Sequence, residues 1–135
     1  MSEQERPGSR AIRDGGPHKG KTGVTRIWNA LFCSIDGLRA GVKHEDAFRQ
    51  EVLLAALLIP AALFTPASGV GKALMIGAVL LVLIVELLNS AVEATVDRVS
   101  LENHHLAKRA KDFGSAAVTL SLLNVPLMWG LVLFG

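Results

Sequence analysis

Four polar residues interrupt an otherwise apolar stretch: Glu86, Asn89, Glu93 and Asp97. Successive helical residues turn by about 100°, so relative to Glu86 the other three fall at about −60°, −20° and +20°. All four share one helix face. A carboxylate at mid-bilayer costs about 2.5–3.5 kcal/mol on the insertion scale, so such groups face a site, a pathway or a partner. Asn89 alone would suffice to join helices by hydrogen bonds, which leaves the two glutamates to be explained. If the apolar core begins near Val70, about 20 residues carry it to the neighbourhood of Asn89. Glu86 then lies about one turn inside the boundary and Glu93 about one turn outside it. The first depth suits a lipid headgroup and the second a soluble ion. The pattern fits chemistry between a membrane-held group and a water-borne one.

Other residues extend this centre. Glu45 and Glu51 fall within HEDAFRQE, residues 44–51, just before an apolar run. Glu45 can join Glu93 as a hard oxygen ligand for Mg²⁺, which prefers carboxylate and phosphate oxygens; the alternative is a pair of solvated charges flanking a span. A later stretch offers His104, His105, Lys108, Arg109, Lys111 and Asp112. Cations beside acidic ligands can hold phosphates against a metal. Equally, they can be topogenic charge, with Asp112 as the N-cap of the next helix. His104 and His105 are adjacent and share no helix face, so a zinc pair is not expected. The run Gly15-Gly16-Pro17-His18-Lys19-Gly20-Lys21-Thr22 matches the G-x-x-x-x-G-K-[ST] pattern. It lacks the strand a P-loop needs in front of it and is not expected to bind phosphate. Cys33, the one cysteine, reads as a small apolar filler and allows no internal disulfide.

The elements that must position these residues follow from composition and periodicity. The chain has 135 residues, half of them apolar, and its 13 glycines raise the fraction to about 60%. An ordinary soluble domain has about 45–50% on a similar alphabet. The mean hydropathy is +0.40. A soluble globule of this size has too little interior for so much apolar surface, and a disordered chain has far less. The excess of 14 Lys and Arg over 12 Asp and Glu, a net +2, is too small to suggest nucleic acid. Residues 1–22 are polar, without a hydrophobic period, and read as a disordered tail; residues 23–135 read as one membrane-embedded domain. The opening MSEQERPGSR has no signal-peptide core, so the later apolar segments are expected to be permanent anchors. Val24, Ile27, Trp28, Leu31, Phe32, Ile35, Leu38 and Val42 make one stripe on a helix lying in the membrane interface. Three spans follow: 52–71, broken by Pro60 and Pro66; 73–96; and 113–135, with Pro126 placed to kink it. Residues 68–72 read as a turn and 97–112 as a polar loop. Nine Lys or Arg precede the first span, one (Lys72) follows it, and four lie between the second and third. The positive-inside bias then places the N-terminus and the second loop in the cytoplasm and Gly135 outside.

The run from Val85 to Arg98, containing E-x-x-N-[ST]-A-x-E-A, resembles the prokaryotic integral-membrane diacylglycerol kinase family. So do Ala107 to Ala117, with its A-K-D, and Gly37-Leu38-Arg39-Ala40 with Glu45 and Ala47 to Glu51. The resemblance covers residues 23–135. It implies a surface helix and three transmembrane helices in a homotrimer of the bacterial inner membrane, with sites near subunit boundaries. The implied activity transfers the γ-phosphoryl of MgATP to the hydroxyl of diacylglycerol, giving phosphatidic acid. By position, Glu86 matches the general base and Asn89 belongs to the same catalytic block. Glu45 and Glu93 match the Mg²⁺ ligands that also hold ATP. Arg26, Glu102, Asn103, His104, Lys111 and Asp112 match nucleotide-contacting positions. Arg26, Ala47, Phe48, Arg49, Gln50, Glu51, Glu86 and Ser115 match positions on the lipid side. Asn29 and Cys33 depart from the basic and aromatic residues that many members carry there. A related branch phosphorylates undecaprenol, and the Lys108–Ala117 run looks closer to the diacylglycerol branch. From another class, acidic residues within spans also mark a small proton- or ion-conducting oligomer.

Overall fold

The computed structural model describes residues 23–99 and 104–135. They form four helices: α1 (Gly23–His44), α2 (Asp46–Phe64), α3 (Gly69–Val99) and α4 (His105–Phe134). No strand occurs among the described residues. α2, α3 and α4 are long and apolar enough to cross a membrane, which is the all-α arrangement expected: an N-terminal helix and three spans. The anticipated tail with its P-loop-like run lies outside the described residues, as do Glu102 and Asn103.

By internal contacts the chain divides into Met1–Asp36 and Gly37–Gly135. The described part of the first unit is the leading portion of α1. Val24, Ile27, Trp28, Leu31 and Phe32 are exposed along it. The rings of Trp28 and Phe32, four residues apart, stack with centroids at 6.1 Å, as helical neighbours do.

In the second unit a single extended residue, Glu45 (φ −113°, ψ 108°), separates α1 from α2. The turn is tight because Gly41 has no side chain: a Cβ there would lie 2.9 Å from Phe48 Cδ1 and 3.2 Å from Leu87 Cδ2. Phe48 is thereby buried, at 1% exposure. Arg49 reaches back and donates to the carbonyls of Val42 and Lys43 at 3.1 and 3.2 Å, satisfying groups the end of α1 leaves free. It also pairs with Asp46.

The first span stops earlier than its uncharged run. Thr65 is extended (φ −71°, ψ 157°), as the residue before a proline prefers, so Pro66 ends α2 at Phe64. The turn falls on residues 65–68 instead of 68–72, and Lys72 lies inside α3. Ser68 Oγ accepts the Gly71 N–H at 3.1 Å and caps the new helix. Pro60 and Pro126 both sit within helices.

At about 1.5 Å per residue, α2 is about 28 Å long, α3 about 46 Å and α4 about 45 Å. The hydrocarbon core needs only about 30 Å. The excess of α3 and α4 absorbs most of the expected 97–112 loop, since α3 runs to Val99 and α4 begins at His105. Asp112 is therefore not a cap. His104 is, its Nδ1 accepting the Leu106 N–H at 3.2 Å.

α3 packs against both α2 and α4. Its register against antiparallel α4 is readable from side chains that meet: Gly71 opposite Val132, the Met75 carbonyl accepting from Trp129 Nε1 at 3.1 Å, Asn89 against Gly114, and Asp97 with Lys111. Apart from Phe48 and Met75, the buried hydrophobic residues are small: Ala55, Ala62, Ala78, Val79 and Val82. Close helix approach of this kind favours small residues at the contact.

Candidate active site

Glu86 is a carboxylate placed among core residues: it is 6% exposed and follows Val79 and Val82 along the buried side of α3. One turn on, Asn89 is half-buried, and Glu93 follows it; Asp97 is exposed. The single face drawn from spacing is present, graded from interior to surface. Between Glu86 and Glu93 the rise is about 10 Å.

A cleft of about 500 Å³ opens along this face. Its walls are Ala47, Gln50, Glu51 and Leu54 of α2, Glu86, Asn89 and Glu93 of α3, and Ser115, Val118 and Leu122 of α4. It thus gathers seven of the anticipated residues from three helices. Below it lies an apolar pocket of about 160 Å³, lined by Glu51, Leu54, Ala55, Leu58, Val79, Val82, Leu122, Val125 and Pro126. Glu51, Leu54 and Leu122 border both. A cleft of mixed polar and apolar walls therefore adjoins a smaller space that is apolar apart from Glu51.

The polar groups of the cleft are incompletely satisfied. Glu51 Oε2 and Asn89 Oδ1 are buried without a hydrogen-bond partner among the described residues. Asn89 Nδ2 makes one long bond, 3.4 Å, to Glu93 Oε1. Glu51, Glu45 and Glu93 all lie within electrostatic reach of Glu86. Glu45 stands at the N-cap position of α2 but makes no capping bond with its side chain, so its carboxylate is not committed to the helix end.

Above the cleft, Lys111 Nζ meets Asp97 Oδ1 at 2.6 Å and also feels the charge of Glu93. Lys108 Nζ meets Asp112 Oδ2 at 2.6 Å along α4. Two of the anticipated nucleotide residues thus hold ion pairs at the mouth of the site.

Among the described residues no three His, Cys, Asp or Glu side chains converge as a metal cage. Mg²⁺ does not require one: it is commonly held by one or two carboxylates with waters and substrate phosphates. Glu45 and Glu93, both within electrostatic reach of Glu86, fit that partial donor set.

The family model of prokaryotic diacylglycerol kinase matches residues 32–133. The chain belongs to that family. It is 54% identical over 119 residues to a diacylglycerol kinase of Pseudomonas aeruginosa, covering 88% of this chain and 97% of that protein. It is 48% identical over 113 residues to one from Haemophilus influenzae, covering 84% and 96%. To one from Escherichia coli K12 it is 44% identical over 113 residues, covering 84% and 93%. With three spanning helices and this membership, the chain is a multi-pass bacterial membrane protein.

Not every anticipated residue of this diacylglycerol kinase family member reaches the cleft. Phe48 is packed against Gly41 and Leu87, and Arg49 closes the end of α1; neither lines it. Their place in the sequence is explained by the α1–α2 turn that presents Ala47, Gln50 and Glu51 to the cleft; Glu45, at the turn itself, does not line it. His104 caps α4. Arg26 is exposed on α1, in the other unit. Conversely, Leu54, Val118 and Leu122 line the cleft without having been singled out, since apolar residues within apolar spans carry no distinguishing pattern. Gly114 was also passed over. Its signal was present: Ala110 and Gly114 have the small-xxx-small spacing of close helix contacts.

Proposed function

We propose that this protein transfers the γ-phosphoryl of ATP to the free hydroxyl of diacylglycerol, with Mg²⁺, giving phosphatidic acid and ADP. The observation that carries the reading is the graded cleft. Glu93 and the Asn89 amide stand toward its mouth, the buried Glu86 with Glu51 beside it at its base, and hydrocarbon-lined space beyond. The names of the relatives support the lipid and the reaction.

The acyl chains enter beside Leu58, Val79, Val82 and Val125, and the glycerol hydroxyl stops next to Glu86. That hydroxyl is a weak nucleophile. As its oxygen bonds to the γ-phosphorus, the Glu86 carboxylate accepts the proton, and the bond to the bridging oxygen of ADP breaks. Glu45 and Glu93 hold Mg²⁺, with Asn89 supporting Glu93. When bound, the ion would supply neutralisation of the phosphate charge that develops in the transfer. Lys111 exchanges Asp97 for phosphate oxygens. Asp112, His104, Glu102 and Asn103 form the remaining nucleotide contacts, and Gln50, Glu51 and Ser115 border the headgroup.

This assignment requires the Glu93 end of the cleft to face the cytoplasm, where ATP is. The nine-one-four distribution of Lys and Arg supports that orientation, with Gly135 outside. The exposed stripe of α1 suits the membrane surface, and assembly is as a homotrimer. The test is direct. Purified protein in detergent receives MgATP and either diacylglycerol or undecaprenol. Phosphatidic acid is the expected product; phosphorylated undecaprenol alone would move the chain to the related branch, and no phosphorylated lipid from either would refute a lipid kinase.

A further inference from the structure

Glu93 is oriented by a chain of contacts that ends on a residue with no side chain. The Glu93 carboxylate can only accept, so the atom of Asn89 that meets Oε1 at 3.4 Å must be the donor Nδ2. This fixes the amide the other way round as well: Oδ1 points to α4. There it occupies the place a Cβ on Gly114 would take, with Asn89 Cγ 3.1 Å and Asn89 Cβ 3.8 Å from that position. Oδ1 is buried and makes no hydrogen bond among the described residues, so it is lodged there by space and not by a partner.

We propose that Gly114 is a positioning residue for Glu93, acting through Asn89: the absence of a side chain at 114 lets the Asn89 amide lie flat against α4 with its N–H aimed at the Glu93 carboxylate. A methyl group at 114 meets the tip of a flexible side chain and no backbone. The helices can therefore keep their register while Asn89 swings to another rotamer and releases Glu93. The register has independent supports in the Trp129–Met75 bond and the Lys111–Asp97 pair. The inference rests on the reading that Glu93 holds the magnesium nucleotide.

The test measures binding of Mg²⁺ with a non-hydrolysable ATP analogue by calorimetry in detergent, alongside the KM for diacylglycerol. Removing support from a metal-holding group costs about 10–100-fold in affinity or activity. Gly114→Ala is expected to weaken analogue binding within that range, while the KM for diacylglycerol stays within about twofold. In an Asn89→Ala background the added methyl has nothing to displace, so Asn89→Ala and Asn89→Ala/Gly114→Ala should bind the analogue equally. Undiminished binding by Gly114→Ala, where the wild type binds, overturns the proposal and leaves the kinase reading standing. So does an equal loss in both backgrounds, which would mark a packing effect. Should Gly114→Ala fail to fold, the pair of Asn89→Ala variants decides alone. A wild type that binds no analogue overturns the underlying reading, and this inference with it.

Discussion

Replacing Glu86 by glutamine changes one oxygen to a nitrogen in a site that is 6% exposed. Size and hydrogen-bonding capacity persist, so the packing of α3 should survive; what disappears is a proton acceptor. General bases contribute about 10²–10⁴-fold, or about 2.7–5.4 kcal/mol of barrier at 1.36 kcal/mol per tenfold. Where in that range the loss falls depends on what can substitute. Glu93 is about 10 Å further along the helix axis, too far to take the same proton. Glu51 is the carboxylate that lines the same cleft beside Glu86, so a partial rescue through it sets the lower end. Turnover of Glu86→Gln is therefore expected to fall by at least about 10²-fold, with a further drop in Glu51→Gln/Glu86→Gln. Glu86→Asp should keep some activity, limited by its shorter reach. Nucleotide binding, one helix segment away, should hold within about threefold, a difference of under 0.7 kcal/mol. The assay is steady-state phosphatidic acid formation in mixed micelles, with MgATP binding measured separately. A Glu86→Gln variant turning over near the wild-type rate would refute the assignment, and the base would have to be sought elsewhere, with Glu51, which lines the same cleft, next in line.

Three further outcomes are expected. Glu45→Ala and Glu93→Ala should each raise the Mg²⁺ and ATP concentrations needed for half-maximal rate, by about 10–100-fold; normal Mg²⁺ titrations in both would remove them as ligands. Deleting residues 2–20, or Lys21→Ala, should leave turnover within about threefold, whereas a hundredfold loss would show that the P-loop-like run binds nucleotide. A reporter active only outside the cytoplasm should work when fused after Gly135 or near Gly69 and fail near Asn103; activity at Asn103 would reverse the orientation.

The helices were legible because apolar periodicity and length determine them: α1 was expected from Val24 and begins at Gly23. Their ends were less so. Charge marks where a helix leaves hydrocarbon, not where it ceases to be a helix, and nothing between Ala78 and Val99 is a Gly or Pro that would break α3. Asp97 therefore sits within α3, in reach of Lys111. Pro66 gave the opposite signal, a true stop inside an uncharged run. In the site, Glu86, Asn89 and Glu93 were readable because polar groups within an apolar span are costly and share a face. The roles of Phe48, Arg49 and Gly114 were not, because each is defined by a contact with another helix or turn: Gly41, the Val42 and Lys43 carbonyls, and Asn89.

The same geometry bears on the rival class, an ion-conducting oligomer. A proton path must continue across the bilayer through polar groups or water. Here the polar face of α3 ends at Glu86. Toward the other side the buried residues of that helix are Val82, Val79, Ala78, Met75 and Gly71, and the space below Glu51 is walled by Leu54, Ala55, Leu58, Leu122, Val125 and Pro126. The buried hydroxyl nearby, on Ser121, is already donated to the Val118 carbonyl at 2.7 Å. Within this unit a proton reaching Glu86 meets no polar side chain on α3 between Val85 and Ala73, about 20 Å of apolar helix before Lys72 near its other end. A hydrocarbon chain meets no such obstacle. An acidic face that runs from solvent to one buried carboxylate and then gives way to an apolar pocket suits delivering charge to the end of a lipid, and that asymmetry separates a lipid kinase from a channel.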